Sequence, residues 1–202
     1  MPAQSDTYWH LRAGQDLFRT GHVPMLEAYS HTARGLPWPN HEWLWQAMSY
    51  SLHEMGGMPL LLAVGALCAT LSYVLALRLL KATPSVNFVL ALVGLPLAST
   101  VWALRPQIVS LLLLTVLLHL VITGRIWLVP LLFWVWANFH GAVALGGAVL
   151  LAATALAWFD DRRRFRGMAI VTILSGVLTS LTPMGVGLWR FIVESMARSH
   201  AN

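Results

Sequence analysis

The chain has 202 residues, 57% of them hydrophobic and only 10% charged, with ten Trp and a formal charge of +5 at neutral pH. A soluble domain carries roughly 25% charge, so this is the composition of a membrane protein and not of a nucleic-acid-binding domain. Four of the thirteen basic residues fall in one cluster, Arg162–Arg166, which at a membrane is a topology signal. The one cysteine, Cys68, lies in an apolar run and excludes an internal disulfide framework and a CxxC metal site.

In chain order, "SDTYWHLRAGQDLFRTG" (5–21) predicts a short helix. Ser5 or Asp6 can cap it, Tyr8, Leu11, Leu17 and Phe18 are its apolar positions, and Gly21 stops it. Asp6 and His10 are four apart and share a face. Residues 22–40 are turn-rich, with Pro24, Gly35, Pro37 and Pro39, and predict a loop with a short extended piece. Asn40 is a natural N-cap for a second helix over 41–57, in which Trp45, Met48 and Leu52 form one stripe expected to face the membrane. Trp43 and Trp45 suit the headgroup level, so this helix is expected to lie on the outer membrane surface, with Glu42 favouring its N-terminus.

Composition changes at Gly56–Gly57: five of the eight acidic residues and five of the eight histidines precede it. Apolar spans follow over about 57–80, 86–104, 107–123, 126–140, 142–159 and 168–183. The span over 126–140 reaches only ~22 Å, so it is either shallow or one half of a broken helix shared with the next. The expected fold class is all-α, a polytopic transmembrane helix bundle with short interfacial helices in an N-terminal outer-face loop region. Residues 1–56 form that region, 57–183 the bundle, and 184–202 an outer-face tail.

With six crossings, Arg78, Lys81, Arg125, Arg162, Arg163, Arg164 and Arg166 collect on one side and only Arg105 on the other. The first side is then cytoplasmic. The N-terminal region, "RPQ" (105–107), "NFHG" (138–141) and "TPMG" (182–185) fall together on the outer face. A preceding transmembrane helix in a longer parent is expected, to carry the N-terminal region across.

"DTYWHLRAGQDLFRTGHVPMLEAYSHTARGLPWPNHEWL" resembles the first outer loop of bacterial polytopic membrane proteins related to the GT-C glycosyltransferases. That loop type runs as Asp, two aromatics, His-Leu, Gly, then Gly-x-x-Pro, Ser-x-Thr, Gly-x-Pro-Trp and His-Glu-Trp-Leu. "RPQ", "NFHG" and "TPMG" look like its later breaks. The resemblance implies transfer of a sugar from a polyprenyl-phosphate donor at the outer membrane face, with Asp6 as the catalytic carboxylate. In the family that aspartate follows a first transmembrane helix.

Such a transfer needs a base for the acceptor proton and a cation for the departing phosphate. Asp6 is the candidate base, or a plain helix cap. Glu42 is a second acid/base or a group orienting a divalent metal, with His41 binding acceptor or metal; alternatively the two merely start a helix. "HEWLW" lacks the second histidine of HExxH, since Trp45 stands there, which argues against a zinc protease. Arg105 either grips the lipid-linked phosphate or snorkels to the headgroups. Asn138 and His140, breaking a Trp-rich run, are candidate substrate-lining groups, with Asn138 as a helix cap the alternative. Trp9 and Trp38 could stack on a sugar, and His10 joins the substrate-binding candidates. The expected location is the bacterial inner membrane, with lipid and the polyprenyl-phosphate sugar as partners and the acceptor open. The rival readings are a transporter or flippase for a lipid-linked or small polar substrate, and a non-catalytic membrane fragment.

Overall fold

The computed structural model describes residues 5–99 and 104–199, with side chains for 6–94 and 104–197. Within them regular structure is helical, apart from one isolated antiparallel bridge between Leu26 and Pro37. Residues 100–103, the end of the span expected over 86–104, lie outside the described residues.

Helix α1 (Ser5–Thr20) ends at Gly21, whose φ of 71° suits only glycine and whose N–H reaches the Leu17 carbonyl at 2.8 Å. It packs against α2 (Trp43–Leu79) at Gly14, where a Cβ would overlap the Gln46 carbonyl oxygen and Tyr50 Cβ. Between them the loop folds back on itself, with Glu27 N–H on Leu36 O at 2.9 Å and Trp38 N–H on Met25 O at 2.8 Å. The Glu27 carboxylate accepts from the N–H groups of Tyr29 and Ser30 at 2.6 and 2.9 Å, which closes the turn.

Helix α2 corrects two expectations. Asn40 is not its N-cap: the helix starts at Trp43, after Glu42, and Asn40 is buried. The Asn40 amide donates to Gln46 Oε1 and Pro24 O at 2.9 and 3.1 Å and accepts from Gln46 Nε2 at 2.7 Å, tying the loop to the helix. The Trp45 stripe does not face the membrane: Trp45 is 2% exposed and packs with Leu61, Leu104 and Ile108, flanked by Leu11, Met48 and Leu52. The helical backbone does break at Gly56–Gly57, where the sequence placed the end of the second helix. Both glycines leave helical geometry, with φ of −154° at Gly56 and 66° at Gly57, and a second helical segment carrying Pro59 in its first turn follows the kink.

Helices α3 (Pro84–Ser99), α4 (Gln107–Ile122), α5 (Val129–Phe139, entered by a 3₁₀ turn), α6 (Val143–Asp160), α7 (Arg162–Leu178) and α8 (Gly187–Ser199) follow. Side-chain pairs fix their directions. Tyr73 donates to Leu90 O at 2.6 Å, so α2 and α3 form a hairpin. Trp136 Nε1 donates to Ser110 Oγ at 2.9 Å, which sets α5 antiparallel to α4. The Thr154–Thr172 hydroxyl pair at 2.8 Å and the Trp158–Phe165 ring pair at 4.7 Å make α6 and α7 another hairpin. The spans over 126–140 and 142–159 are therefore two helices running in opposite directions, separated at His140, whose backbone is extended.

The main core joins α4 to α8 through Leu117, Phe133, Trp136, Leu150, Met168, Leu188 and Ile192. Two helices, Trp43–Leu79 and Val143–Asp160, are long and apolar enough to cross a membrane. The alternation leaves the starts of α1, α2 and α4, the end of α5 and the start of α8 at one end of the bundle. The turns bearing Lys81, Arg125 and Arg162–Arg166 lie at the other.

Candidate functional site

Helix α1 projects Asp6, Trp9 and His10 from one face, as i, i+3, i+4 spacing dictates. Opposite them is Glu42, which the bonded Asn40–Gln46 pair holds at the head of α2. These four line a cavity of about 320 Å³. Arg105, in the turn before α4, reaches it through Asp6: Nη2 lies 2.6 Å from Asp6 Oδ2. The Thr7 hydroxyl donates to Leu104 O at 3.3 Å and fixes that turn beside α1. The Arg105 Nε is buried and makes no hydrogen bond, which leaves one donor of the guanidinium uncommitted.

Three histidines surround Glu42. His41 Nε2 and His140 Nε2 lie 3.6 and 3.5 Å from Oε1, and His10 Nε2 lies 3.9 Å from Oε2. His41 stacks on His140 with ring centres 6.3 Å apart, and Phe191 of α8 covers His41 at 4.7 Å. This enclosure removes water. Burial, helped by the Asp6 charge, raises the Glu42 carboxyl from 4.5 to about 7. Burial also lowers His10 to about 4 and lowers His41, so both are neutral at pH 7.

Among the described residues no set of three or more His, Cys, Asp or Glu side chains is arranged to hold a metal ion. One ring nitrogen of each histidine, Nε2, lies toward a Glu42 carboxylate oxygen.

Of the nine candidates, Asp6, Trp9, His10, Glu42, His41, His140 and Arg105 come together. Asn138 and Trp38 stand outside the cavity. Asn138 is buried at the end of α5, where its Oδ1 accepts from Trp43 Nε1 at 2.7 Å and its Nδ2 donates to Trp134 O at 2.8 Å. It neither lines the cavity nor caps α6, and Trp43 is an internal tie where a headgroup anchor was expected. Trp38 packs edge-on against Tyr29 at 5.7 Å, and Tyr29 edge-on against Trp9 at 5.3 Å. Tyr29 is fixed by its hydroxyl on Asp16 Oδ2 at 3.0 Å, so the three rings hold Trp9 at the cavity mouth. Beyond Trp9 a second cavity of about 280 Å³ is lined by Tyr8, Trp9, Arg12 and Tyr29.

Sequence reasoning missed Ser110, Trp136, Tyr29 and Phe191. Ser110 accepts from Trp136 and lies 3.0 Å from His140 Nδ1. A lone hydroxyl in the first turn of the apolar "QIVSLLLL" was the signal for it. Compared with known proteins, the chain matches no family model, no curated protein and no solved structure.

Proposed function

We propose that the chain is a GT-C-like membrane glycosyltransferase, or a fragment of one, that moves a sugar from a polyprenyl-phosphate donor to an acceptor at the periplasmic face of the bacterial inner membrane. One observation carries this reading. Asp6, Glu42 and Arg105, from three separate stretches of chain, meet at one aromatic-edged cavity, at the end of the bundle away from the basic cluster. The second half of α2 and helices α3 to α7 supply six crossings. Outward apolar side chains such as Phe88, Leu156, Phe159 and Ile173 support a lipid surround.

In the reaction the acceptor hydroxyl oxygen bonds to the anomeric carbon, and the bond from that carbon to the phosphate oxygen breaks. The electron pair leaves on the phosphate, whose charge the Arg105 guanidinium stabilises. Asp6 holds the guanidinium in place. Glu42 takes the hydroxyl proton: a carboxyl held at about 7 is matched to base chemistry at neutral pH. Trp9 offers an exposed ring face on which a sugar stacks.

The test is turnover of a polyprenyl-phosphate-linked hexose by the full chain in proteoliposomes. Wild-type protein should consume the donor, and Asp6→Asn and Glu42→Gln should each lower the rate by about 10²-fold or more. Equal turnover in wild type and both variants would overturn the assignment.

A further inference from the structure

We propose that Glu42 and His41 form a single proton-accepting pair, and that Ser110, acting through His140, is the positioning residue that orients it. Only the identity of the proton's donor, an acceptor hydroxyl, rests on the glycosyltransferase reading.

The hydrogen-bond chemistry dictates the arrangement. An indole N–H can only donate, and that of Trp136 donates to Ser110 Oγ at 2.9 Å. Ser110 keeps its own hydroxyl proton, which it can give to His140 Nδ1, 3.0 Å away. The backbone N–H of Ala142 points at the same nitrogen from 3.4 Å. With two donors aimed at Nδ1, the ring proton of His140 sits on Nε2 and faces Glu42 Oε1.

His41 has the opposite tautomer. Its Nδ1 lies 3.0 Å from the Pro39 carbonyl oxygen, which can only accept, so Nδ1 carries the proton. Its Nε2 therefore presents a lone pair to the same Glu42 Oε1 at 3.6 Å. Oε1 thus has the proton-bearing nitrogen of His140 at 3.5 Å on one side and the lone-pair nitrogen of His41 at 3.6 Å on the other. Against a bare carboxylate the His41 lone pair is repulsive; once a proton arrives, the contact becomes an O–H···N hydrogen bond that closes up. Oε2 is on the other side, towards His10 and the cavity.

In the transfer, the acceptor O–H bond breaks and its electron pair forms the bond to the anomeric carbon. The proton joins the Glu42 carboxylate and is shared with His41 Nε2, so the pair passes from a charge of −1 to zero. The groups facing it are Asp6 and His10 from α1, Arg105 from the turn before α4, and His140 from the end of α5. Phe191 shields it from α8.

The experiment is NMR of the full chain in detergent micelles, labelled with ¹⁵N-histidine and ¹³C-glutamate and needing no substrate. His41→Gln and His140→Gln assign the two ring signals, with His41→Phe and His140→Phe as second variants should either fail to fold. The expected result is an Nδ1–H tautomer at His41 and an Nε2–H tautomer at His140. The His41 Nε2 signal and the Glu42 carboxyl signal should titrate with one shared midpoint near pH 7, and Glu42→Gln or Glu42→Asp should move the His41 midpoint. Ser110→Ala should mix the His140 tautomers while Ser110→Thr restores a single one, which a purely structural hydroxyl would not do. Matching tautomers at the two histidines, or independent midpoints for His41 and Glu42, would overturn the pair. Loss of sugar transfer with these signals intact would refute the enzyme reading alone.

Discussion

Asp6 and Arg105 lie 2.6 Å apart, joining the first turn of α1 to the turn that starts α4. Both side chains are partly exposed, so the pair contributes only about 0–1 kcal/mol to stability. Its value is positional, because it sets the guanidinium at the cavity edge. Asp6→Asn should leave the thermal midpoint in detergent within a few degrees of wild type while donor turnover falls. A large drop in the midpoint would make the pair a structural tie instead.

Stability should rise with pH between about 4.5 and 6.5, because the two buried histidines His10 and His41 together outweigh Glu42, which acts in the opposite direction. Glu42 has a folded value raised from 4.5 to about 7, so its contribution is present below 4.5 and is lost as pH rises through 7. His10 has a folded value lowered from 6.5 to about 4, so its contribution is present above 6.5 and is lost as pH falls through 4. Glu42→Gln removes the opposing slope, and the variant's midpoint should climb with pH more steeply than the wild type's from 4.5 to 6.5. Thermal unfolding across that range checks this.

Gly14 admits α1 against α2, and a side chain there meets backbone. Gly14→Ala should cost about 1–3 kcal/mol. It should also weaken the cavity, since Asp6, Trp9 and His10 ride on the displaced helix. Denaturation together with protease sensitivity at residues 20–24 would report the loosening.

Trp43 and Asn138 form a tie between α2 and α5 over 2.7 Å. Asn138→Ala strands the indole N–H and should cost about 1–3 kcal/mol, whereas Trp43→Phe leaves the Asn138 oxygen without its donor at similar cost. The double variant should cost less than the sum of the two, and a double-mutant cycle in thermal stability measures the difference.

Much of this was readable before the structure. The helical period of 5–21 and its Gly21 stop gave α1, and the parity of the apolar spans brought Arg105, His140 and the Thr182 turn to the end that holds Glu42. The environment of α2 was not readable. An apolar stripe such as Trp45, Met48 and Leu52 looks the same whether lipid or protein covers it, and here α1 covers it. Asn40 read as a cap because a cap and a paired amide use the same side chain, and only Gln46 at hand distinguishes them. Ser110 and Trp136 stayed silent because their meaning arises where α4 meets the end of α5, through contacts that span many residues of sequence.

The central claim is tested most directly by stoichiometry in a single reaction. Proteoliposomes holding the full chain are given a polyprenyl-phosphate hexose labelled in both sugar and phosphate, together with candidate hydroxyl acceptors. The expected result is one free polyprenyl phosphate released for each hexose that appears on an acceptor, with Glu42→Gln abolishing both. Donor that crosses the membrane intact, with the sugar-phosphate bond unbroken, would contradict a transferase and favour a transporter.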